Sequence, residues 1–404
     1  MKKLLFLTFN YPYGRFNPSD QCTVRIMEDL ALSGKYEVHC VSYRGEKKNY
    51  KSIEGVRMKL LPFREKVHNY PKWLIRLILI LKMPIYPRTS LTVHKKFCHE
   101  CKAIVTKENY DLVIAQCYPM SSALTGVWLK QRGYITHLMI LFWDSIYGKI
   151  PRRVIPEGFA LRRQRELEDK IAYYTDLLVS LYPLKSFHDE YSDIPNAQGK
   201  RVYLGIPSIK KPSVPKETMY NRVIQEDKIN MLYSGTIFRS EYVSYLVNLL
   251  NASSVAERVN LIFFSRGVSD NEFQRLQKTF KGTIQFSGWI PLDDLLSLYP
   301  KVDVFVSFPG NPTAIRSKVF EYMSFGKPLM LLFDADNDVN VTTFSRYPAF
   351  IALDERKDTL DNLESIEHFI MQNTNNNVSF EEVEKLFPLD TVSSYVKMID
   401  KLLL

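Results

Sequence analysis

The sequence has few cysteines for its 404 residues. All five lie within the first 117 residues, and a small, odd, clustered set is not typical of the disulfide framework of a secreted protein. The chain also lacks the run of roughly 20 apolar residues that a transmembrane helix requires. Its longest apolar run, from Trp73 to Leu81, is short and is interrupted by Arg76. We therefore expect a protein of the reducing cytoplasm that does not span a membrane.

Acidic residues are scarce in the first half of the chain. Residues 1–210 hold 34 Lys or Arg and 19 Asp or Glu, a net charge of +15, whereas the remainder holds 20 against 25, or −5. Long-range attraction of this sign favours anionic lipid, a phosphorylated substrate or nucleic acid. Zinc-finger spacing, RNP-type aromatic motifs and recognition-helix patterns are missing, so we expect no nucleic-acid partner. A basic surface that is simply solvated is the alternative.

The chain has no convincing set of metal ligands either. His94, Cys98, His99 and Cys101 fall at helical spacing, which is compatible with zinc. However, no second ligand pair with finger-like spacing follows, and ordinary helix packing produces the same pattern. We expect neither a metal ion nor an organic cofactor.

Short apolar runs with β-forming residues alternate with longer segments of helical periodicity. In the first half these runs are Leu4–Phe9, Glu37–Tyr43, Val56–Leu61, Leu112–Gln116, Thr136–Phe142 and Leu177–Leu181. The alternation restarts after a stretch of prolines and lysines, with runs at Ile229–Tyr233, Asn260–Phe264, Ile284–Phe286, Val302–Val306, Leu329–Phe333 and Ala349–Leu353. The pattern predicts an α/β protein with two doubly wound, Rossmann-like domains.

The break in this alternation gives the domain boundaries. We place the first domain at residues 1–205, a linker at 206–227, a second domain at 228–385 and a C-terminal helix at 386–404 that packs back toward the first domain. Open α/β sheets bind ligands at the carboxyl ends of their strands. We therefore expect the functional residues in the loops that follow strands, facing a cleft between the domains.

One segment of the second half has the signals of a short phosphate-binding helix. Ser317 suits its N-cap, Gly326 suits the left-handed position beyond its end, and Pro328 prevents its continuation. The free amides of a helix start attract a diphosphate and Lys318 adds a full charge. Glu321, in the predicted first turn, can accept hydrogen bonds from two ribose hydroxyl groups. The alternative is a purely structural helix with a cap, a solvated lysine and an acid that suits the helix dipole.

The segment from Pro312 to Pro328 resembles the C-terminal signature of the retaining, group 1 GT-B glycosyltransferases of bacterial polysaccharide biosynthesis. In that family a Lys, a Glu and a Gly-Lys-Pro occur in this order. Three further segments resemble the family's donor-domain turns, again in order: Tyr233-Ser234-Gly235-Thr236-Ile237-Phe238-Arg239, Ser265-Arg266-Gly267 and Phe286-Ser287-Gly288-Trp289-Ile290-Pro291. The resemblance covers residues 229–333 and implies two domains facing a cleft, the GT-B fold.

The resemblance also implies a donor site for a nucleotide sugar. Its residues in this chain are Gly14, Gly235, Arg239, Gly267, Gly288, Ile290, Thr313, Ser317, Lys318 and Glu321. Within that site Arg239 and Lys318 neutralise the leaving diphosphate, so that catalysis consists mainly of positioning and charge stabilisation. Retention of configuration follows from the resemblance alone.

The chain departs from the family at two of these positions. Thr313 stands eight residues before Glu321, where the family has the first of two glutamates, the one that holds the donor sugar. This predicts a changed sugar preference, with a catalytically weakened protein as the alternative. The turn after the first strand has a single glycine, Gly14, where two adjacent glycines are common. It either approaches the donor or is a plain strand-to-helix turn.

Candidates for the acceptor side lie in the first half. Asp144 directly follows a predicted strand, and we take it as the residue that contacts the acceptor hydroxyl, with a helix cap or loop acid as the alternative. The arginines between Lys149 and Arg165 suit a pyrophosphate-linked lipid or a solvated helix face. The run from Trp73 to Leu81 suits a membrane interface or a core helix.

These features together predict a hexosyltransferase that moves a sugar from a UDP or GDP donor to a glycan or lipid-linked acceptor in cell-surface polysaccharide synthesis. We expect it in the cytoplasm or peripherally on the inner face of the membrane, with an anionic membrane surface as a partner of the basic half. Two alternatives stay open: a sugar-nucleotide epimerase on the same fold, and a non-catalytic glycosyltransferase-like partner subunit.

Overall fold

The chain forms two compact units. The computed structural model describes residues 1–8, 18–43, 52–61, 71–83, 91–117, 120–143, 155–182, 185, 194–310, 312, 315–373 and 377–404. The first unit comprises Met1–Pro207 together with Thr391–Leu404, and the second comprises Ser208–Asp390. Each unit is built around its own parallel sheet, which confirms the predicted fold class of two Rossmann-like α/β domains.

The first unit contains a seven-stranded sheet. Its strands are β1 (Lys2–Leu7), β2 (Tyr36–Tyr43), β3 (Val56–Leu61), β4 (Leu112–Cys117), β5 (Leu138–Phe142), β6 (Leu177–Leu181) and β7 (Arg201–Leu204). They pair in the order β3-β2-β1-β4-β5-β6-β7, and every pair is parallel. Strands β4 and β5 are buried along their whole length, as expected for parallel strands covered on both faces.

Helices pack on this sheet and complete the core of the unit. They are α1 (Pro18–Leu32), α2 (Lys72–Leu81), α3 (Leu91–Val105), α4 (Met120–Gln131) and α5 (Glu157–Tyr174). Apolar residues of α3, α4 and α5 join those of the strands in one buried cluster. Helical spacing of apolar residues predicts helices at 20–33, 92–109, 119–132 and 157–174, and α1, α3, α4 and α5 agree with these segments to within about four residues. Among the described residues, no helix is long and apolar enough to cross a bilayer.

The second unit repeats the architecture with six parallel strands. They are β8 (Ile229–Thr236), β9 (Val259–Arg266), β10 (Thr283–Ser287), β11 (Val304–Ser307), β12 (Leu329–Phe333) and β13 (Phe350–Asp354), in the order β10-β9-β8-β11-β12-β13. Its helices are α6 (Glu241–Ala252), α7 (Asp270–Thr279), α8 (Leu292–Leu298), α9 (Ser317–Ser324), α10 (Val339–Phe344), α11 (Thr359–Asn373) and α12 (Phe380–Leu386). A separate buried cluster forms the core of this unit.

The last helix, α13 (Val392–Leu403), belongs to the first unit. The Thr391 hydroxyl oxygen caps it by accepting a hydrogen bond from the backbone N–H of Ser394. Its buried Tyr395 donates from the phenolic O–H to the carbonyl oxygen of Gly205 over 2.6 Å. Asp400 accepts from Lys35 over 3.2 Å. The end of the chain is therefore fixed to the first unit, where α13 packs on α1.

The sequence predicted most strands, but it missed β7 (Arg201–Leu204) because this strand has only four residues and lies beside a proline-rich stretch. Residues 206–227 were predicted as a linker. From Ser208 onward these residues belong to the second unit, and they include the 3-10 helix Met219–Val223, which Thr218 caps. The predicted C-terminal helix at 386–404 begins later, at Val392.

Candidate functional site

The start of α9 lies at the carboxyl edge of the second sheet. The side chain of Arg316, the residue before the helix, donates to Ser307 Oγ over 3.5 Å and to the carbonyl oxygen of Leu332 over 3.3 Å. Ser307 ends β11, and Leu332 is the penultimate residue of β12. The first turn of a helix has N–H groups without intrahelical partners. These groups are therefore held near the edge where α/β sheets bind ligands.

The same arginine corrects a prediction about the helix cap. Ser317 is the first residue inside α9, and Arg316 is its N-cap, with no side-chain capping bond. The backbone N–H of Arg316 donates to Asn340 over 2.8 Å, and its guanidinium pairs with buried Asp338 at 2.6 Å. These two contacts hold Arg316 in an extended conformation, so the helix begins one residue earlier than predicted. Glu321 consequently lies in the second turn.

Lys318, in the first turn of α9, is half-buried and is held in one direction. Its ammonium group donates a 2.8 Å hydrogen bond to Oγ of Ser234, a buried residue of β8. Ser234 also contacts the hydroxyl group of Tyr322, which lies 3.0 Å from Oγ and accepts from the backbone N–H over 3.1 Å. The positive charge is therefore positioned beside the helix start rather than left to extend into solvent.

Glu321 is buried at the other end of the same hydrogen-bonded cluster. Its Oε1 accepts from the hydroxyl group of Tyr299 over 3.2 Å, and that hydroxyl lies 3.3 Å from Ser234 Oγ. Burial, together with the nearby Glu321 charge, raises the pKa of Tyr299 well above its usual value. Burial raises the pKa of Tyr322 as well. Both phenols therefore stay protonated and remain hydrogen-bond donors at physiological pH.

Of the predicted turn glycines, Gly235 is the second-last residue of β8, whereas Gly267 and Gly288 directly follow β9 and β10. Gly267, after β9, has a φ of +105°, and a Cβ there would lie 1.9 Å from the carbonyl oxygen of Ile237. Only glycine permits this approach of two backbone segments. Gly235 also has a positive φ, of +153°, whereas no atom lies within 4 Å of the Cβ position at Gly288. The helix-ending Gly326 has the expected left-handed φ of +71°.

The donor-domain turn at Phe286–Pro291, which by the family resemblance is the one that binds the base, comes directly after β10. Ile290 is buried, and Trp289 next to it is 37% exposed. The guanidinium of Arg266 lies over the Trp289 ring at 4.7 Å from its centroid. The turn thus presents a flat aromatic and cationic surface beside Gly288, which is the kind of surface on which a nucleobase stacks.

Arg239 is exposed, and its contacts are with Asp334 and Tyr242 rather than with Lys318. Its guanidinium lies 3.9 Å from Asp334, the residue after β12, and 5.8 Å from the ring centroid of Tyr242. Tyr242 in turn donates to Asp334 over 2.8 Å. Burial and the nearby Asp334 charge raise the pKa of Glu355, at the end of β13, to about 7. Arg239 therefore lies in a group of ionisable side chains whose charge depends on pH.

Three predicted site residues, Gly14, Thr313 and Asp144, lie outside the described residues. Conversely, the structure adds residues that the sequence reasoning missed. Ser234 belongs to one of the donor-domain motifs but was predicted only as a strand residue, and Tyr299 was predicted only as a residue of the helix at Leu295–Tyr299. The hydroxyl group of Ser234, directly after the predicted strand Ile229–Tyr233, was the available signal, since buried polar side chains require partners.

Within the described residues, one group has the composition of a metal site, and it lies in the first unit. Glu37, His39 and Glu108 bring three ligand atoms within 4.8 Å of one another. Lys3 already pairs with both carboxylates, at 3.5 Å and 3.3 Å, and His39 contacts Tyr110 at 2.8 Å. These contacts account for the cluster as an ion-pair network, so we assign no metal to it.

Comparison with known proteins identifies the fold. No protein-family model and no curated protein sequence matches the chain. Among solved structures, WaaG, a glycosyltransferase involved in lipopolysaccharide biosynthesis, has a TM-score of 0.57 at 13% identity, with 98% of this chain and 99% of that chain covered. HepE from Anabaena, in complex with UDP and glucose, has a TM-score of 0.59 at 11% identity, with 100% and 99% covered.

A UDP-GlcNAc 2-epimerase from Methanocaldococcus jannaschii is similar to the same extent, with a TM-score of 0.57 at 12% identity over 99% of this chain and 100% of that chain. All three matches extend over both units. The chain therefore has the GT-B fold, as its sequence motifs predicted. Identities this low establish the fold and leave the activity to be argued from the site.

Proposed function

We propose that this protein is a glycosyltransferase that moves a hexose-type sugar from UDP or GDP to a glycan or lipid-linked acceptor. The observation that carries the proposal is the 2.8 Å bond from Lys318 to Ser234, which holds a full positive charge in the first turn of α9. Free helix N–H groups, the helix dipole and this charge together suit a diphosphate. Ser317 adds a hydroxyl group and a backbone N–H at the same turn.

The neighbouring residues fit the rest of a nucleotide. A carboxylate accepts several hydrogen bonds at once, so Glu321 can be held by Tyr299 while it accepts from the ribose hydroxyl groups. The turn at Gly288 and Ile290 then receives the base, and the turns at Gly235 and Gly267 give the donor close access to the backbone.

The chemistry that we propose relies on charge and position. The bond between the anomeric carbon and the donor's diphosphate breaks, a bond from the acceptor oxygen to that carbon forms, and the proton of the acceptor hydroxyl passes to the released diphosphate. Negative charge then grows on the leaving diphosphate, where Lys318 and Arg239 stabilise it. The side chain of Arg239 is 65% exposed, and its pairing with Asp334 at 3.9 Å is loose enough to be exchanged for phosphate. In this proposal no metal ion takes part, and the retaining outcome follows from the family resemblance.

The roles of three further residues are proposed from the sequence alone. Asp144, which follows β5 in the chain, is the residue that we place at the acceptor hydroxyl, and Gly14 is placed near the donor. Thr313 replaces the family's first glutamate and is proposed to change the sugar preference.

We also propose a cellular role in cell-surface polysaccharide synthesis on the cytoplasmic side of a membrane. The involvement of WaaG in lipopolysaccharide biosynthesis supports this, as does the +15 charge of residues 1–210. Such a charge favours an anionic membrane surface as a partner through long-range attraction.

A sugar-nucleotide epimerase is the second candidate, because epimerase structures share the fold at a TM-score of 0.57. The two activities differ in their need for an acceptor. An epimerase converts the nucleotide sugar alone, whereas a transferase releases the nucleoside diphosphate only when an acceptor accompanies the donor.

The deciding experiment has two steps. A thermal-shift screen of UDP- and GDP-sugars identifies the donor, because a ligand that binds the folded state raises the unfolding temperature. Release of nucleoside diphosphate is then measured with and without a panel of glycan and lipid-linked acceptors. Acceptor-dependent release supports the proposal. Conversion of the sugar without an acceptor contradicts it, and donor binding with no turnover on any acceptor indicates a non-catalytic subunit.

A further inference from the structure

The start of α10 is attached to the segment of chain that leads into α9. Asp338 caps α10, and the next residue, Val339, donates from its backbone N–H to the carbonyl oxygen of Pro312 over 2.9 Å. Asn340 Oδ1 accepts from the backbone N–H of Arg316 over 2.8 Å, and Asp338 Oδ2 accepts from the Arg316 guanidinium over 2.6 Å. Three hydrogen bonds therefore fix the chain at Pro312 and at Arg316, directly before α9.

Asp338 and Asn340, hereafter called the clamp, also hold each other. Asp338 Oδ1 accepts from the backbone N–H of Asn340 over 2.9 Å and from its side-chain amide over 2.6 Å. The two residues are only 3% and 0% exposed, so water does not compete for these bonds. A buried polar network with its members paired in this way favours a single arrangement. The position of Arg316 relative to α10 is therefore well defined.

The burial of Arg316 itself costs stability. Its Nε is buried and finds no hydrogen-bond acceptor among the residues that the structure describes. Burial also lowers the pKa of the guanidinium below its usual value, which shows that the environment disfavours the charge. A buried ion pair with such costs contributes little to stability, and geometry is the better explanation for it. The geometry in question is the extended Arg316 backbone from which α9 starts.

This geometry affects the candidate donor site directly. Ser317 and Lys318 follow Arg316 in the chain, so the direction of the first N–H groups of α9 depends on the Arg316 backbone. Such groups stabilise a diphosphate only when they point at it. The bond from Lys318 to Ser234 orients the ammonium group, whereas the clamp orients the backbone.

We propose that Asp338 and Asn340 are positioning residues of the donor site, which hold the first turn of α9 in the orientation that binds the donor's diphosphate. Neither residue is placed in contact with the donor, because both act through Arg316. This proposal rests on the donor site proposed above and deepens it, since it names the side chains that preorganise the backbone of that site.

One substitution separates position from charge by the sign of its effect. Asp338→Asn removes a negative charge beside the start of α9, and by electrostatics alone a diphosphate would then bind more tightly. We expect the opposite, about tenfold weaker binding of UDP or GDP by the full chain, because the Arg316 guanidinium loses its carboxylate. Asp336→Asn is the matched control: its side chain is 83% exposed and pairs with Arg356 outside the clamp. The control should bind at least as tightly as the wild type.

Nucleosides provide a second readout, which a purely structural role would not change. Asn340→Ala removes the acceptor of the Arg316 backbone N–H without a change of charge. In this variant and in Asp338→Asn, we expect the affinity for uridine or guanosine to stay the same, because a nucleoside has no diphosphate. The ratio of UDP to uridine affinity, or of GDP to guanosine affinity, should therefore fall about tenfold. Titration calorimetry measures all four ligands, and a ratio that stays unchanged overturns the proposal.

A double variant covers the case in which Asp338→Asn does not fold. Arg316→Met, Asp338→Asn removes both charges of the buried pair, leaves the net charge unchanged, and is expected to preserve stability. The guanidinium no longer joins the start of α9 to α10, so binding of UDP or GDP should remain weaker than in the wild type by about fivefold or more. Wild-type affinity in a double variant with the wild-type unfolding temperature contradicts a positioning role.

The same titrations distinguish the failure of this proposal from the failure of the donor site. If the wild type binds neither UDP nor GDP, the proposed donor site is wrong and the positioning role fails with it. If the wild type binds one of them and both clamp variants bind it as tightly or more tightly, the donor site stands and the positioning role is wrong.

Discussion

Lys318 and Ser234 are 84 positions apart in the sequence, and a hydrogen bond of 2.8 Å joins the lysine ammonium to the serine hydroxyl oxygen. Ser234 thereby connects the first turn of α9 to β8 and to the hydroxyl groups of Tyr299 and Tyr322. One small buried residue thus determines where the positive charge of the candidate donor site points.

Removal of this hydroxyl group tests the connection. We expect Ser234→Ala to weaken nucleotide-sugar binding about tenfold, because Lys318 loses the group that orients it. The free energy of unfolding should fall by only about 1 kcal/mol, since Tyr299 and Tyr322 keep other partners. Calorimetry and denaturant unfolding measure the two effects. Ser213→Ala, at an exposed position, is the control, and equal donor affinity in both variants would show that Ser234 has no orienting role.

The bond from Tyr299 to Glu321 gives a second prediction. Tyr299→Phe removes the donor that Glu321 Oε1 accepts from, so a buried carboxylate loses a partner. We expect the free energy of unfolding to decrease by about 1–3 kcal/mol, measured by urea denaturation. Tyr173→Phe changes an exposed phenol and serves as the control. A Tyr299→Phe variant as stable as this control contradicts the assignment of the bond.

The glycine turns give a matched pair of substitutions. Gly267→Ala places Cβ at 1.9 Å from the Ile237 carbonyl oxygen in a left-handed conformation, and we expect a loss of about 2 kcal/mol or more. Gly288→Ala meets no atom within 4 Å and should change stability by less than about 0.5 kcal/mol. Thermal unfolding of the two variants checks the contrast, which equal melting temperatures would refute.

The raised pKa of Glu355, about 7 against an ordinary 4.5, predicts a pH dependence of stability. In this window the folded state holds the proton more tightly than the unfolded state, so the free energy of unfolding falls as pH rises from about 4.5 to about 7. The glutamine in Glu355→Gln cannot ionise, so this variant should be more stable than the wild type above neutral pH. We expect a difference of about 1 kcal/mol, because the partial exposure of Glu355 screens the effect.

Urea denaturation at several pH values measures this difference. The comparison uses Glu364→Gln, at an exposed position of α11, as its control. The difference between Glu355→Gln and wild type should grow between about pH 5 and about pH 8, whereas the control should run parallel to wild type. A constant difference across the range would mean that Glu355 does not titrate in this window.

The fold was largely predictable because its signals are local. The strands Val56–Leu61 and Leu177–Leu181 were predicted to the residue, because each short run is bounded by polar or turn-forming residues. The short edge strand β7 was missed because four residues beside prolines and lysines carry little periodic signal.

The site was predictable only where its signals were also local. The end of α9 at Gly326 was predicted from residues that terminate helices. Lys318 and Glu321 were predicted as candidate site residues from a family motif. The capping role of Ser317 was wrong, because contacts of Arg316 with Asp338 and Asn340, distant in sequence, set the first residue of the helix. Such non-local contacts leave no periodic trace in the sequence.

Calorimetry of donor binding tests the central claim most directly. Titrations of UDP- and GDP-sugars compare the wild type with Lys318→Ala, Glu321→Ala and the control Lys278→Ala, which changes an exposed lysine of α7. We expect the wild type and the control to bind one of these donors equally well, and the two site variants each to lose about tenfold or more in affinity. Unchanged affinity in both site variants would contradict it.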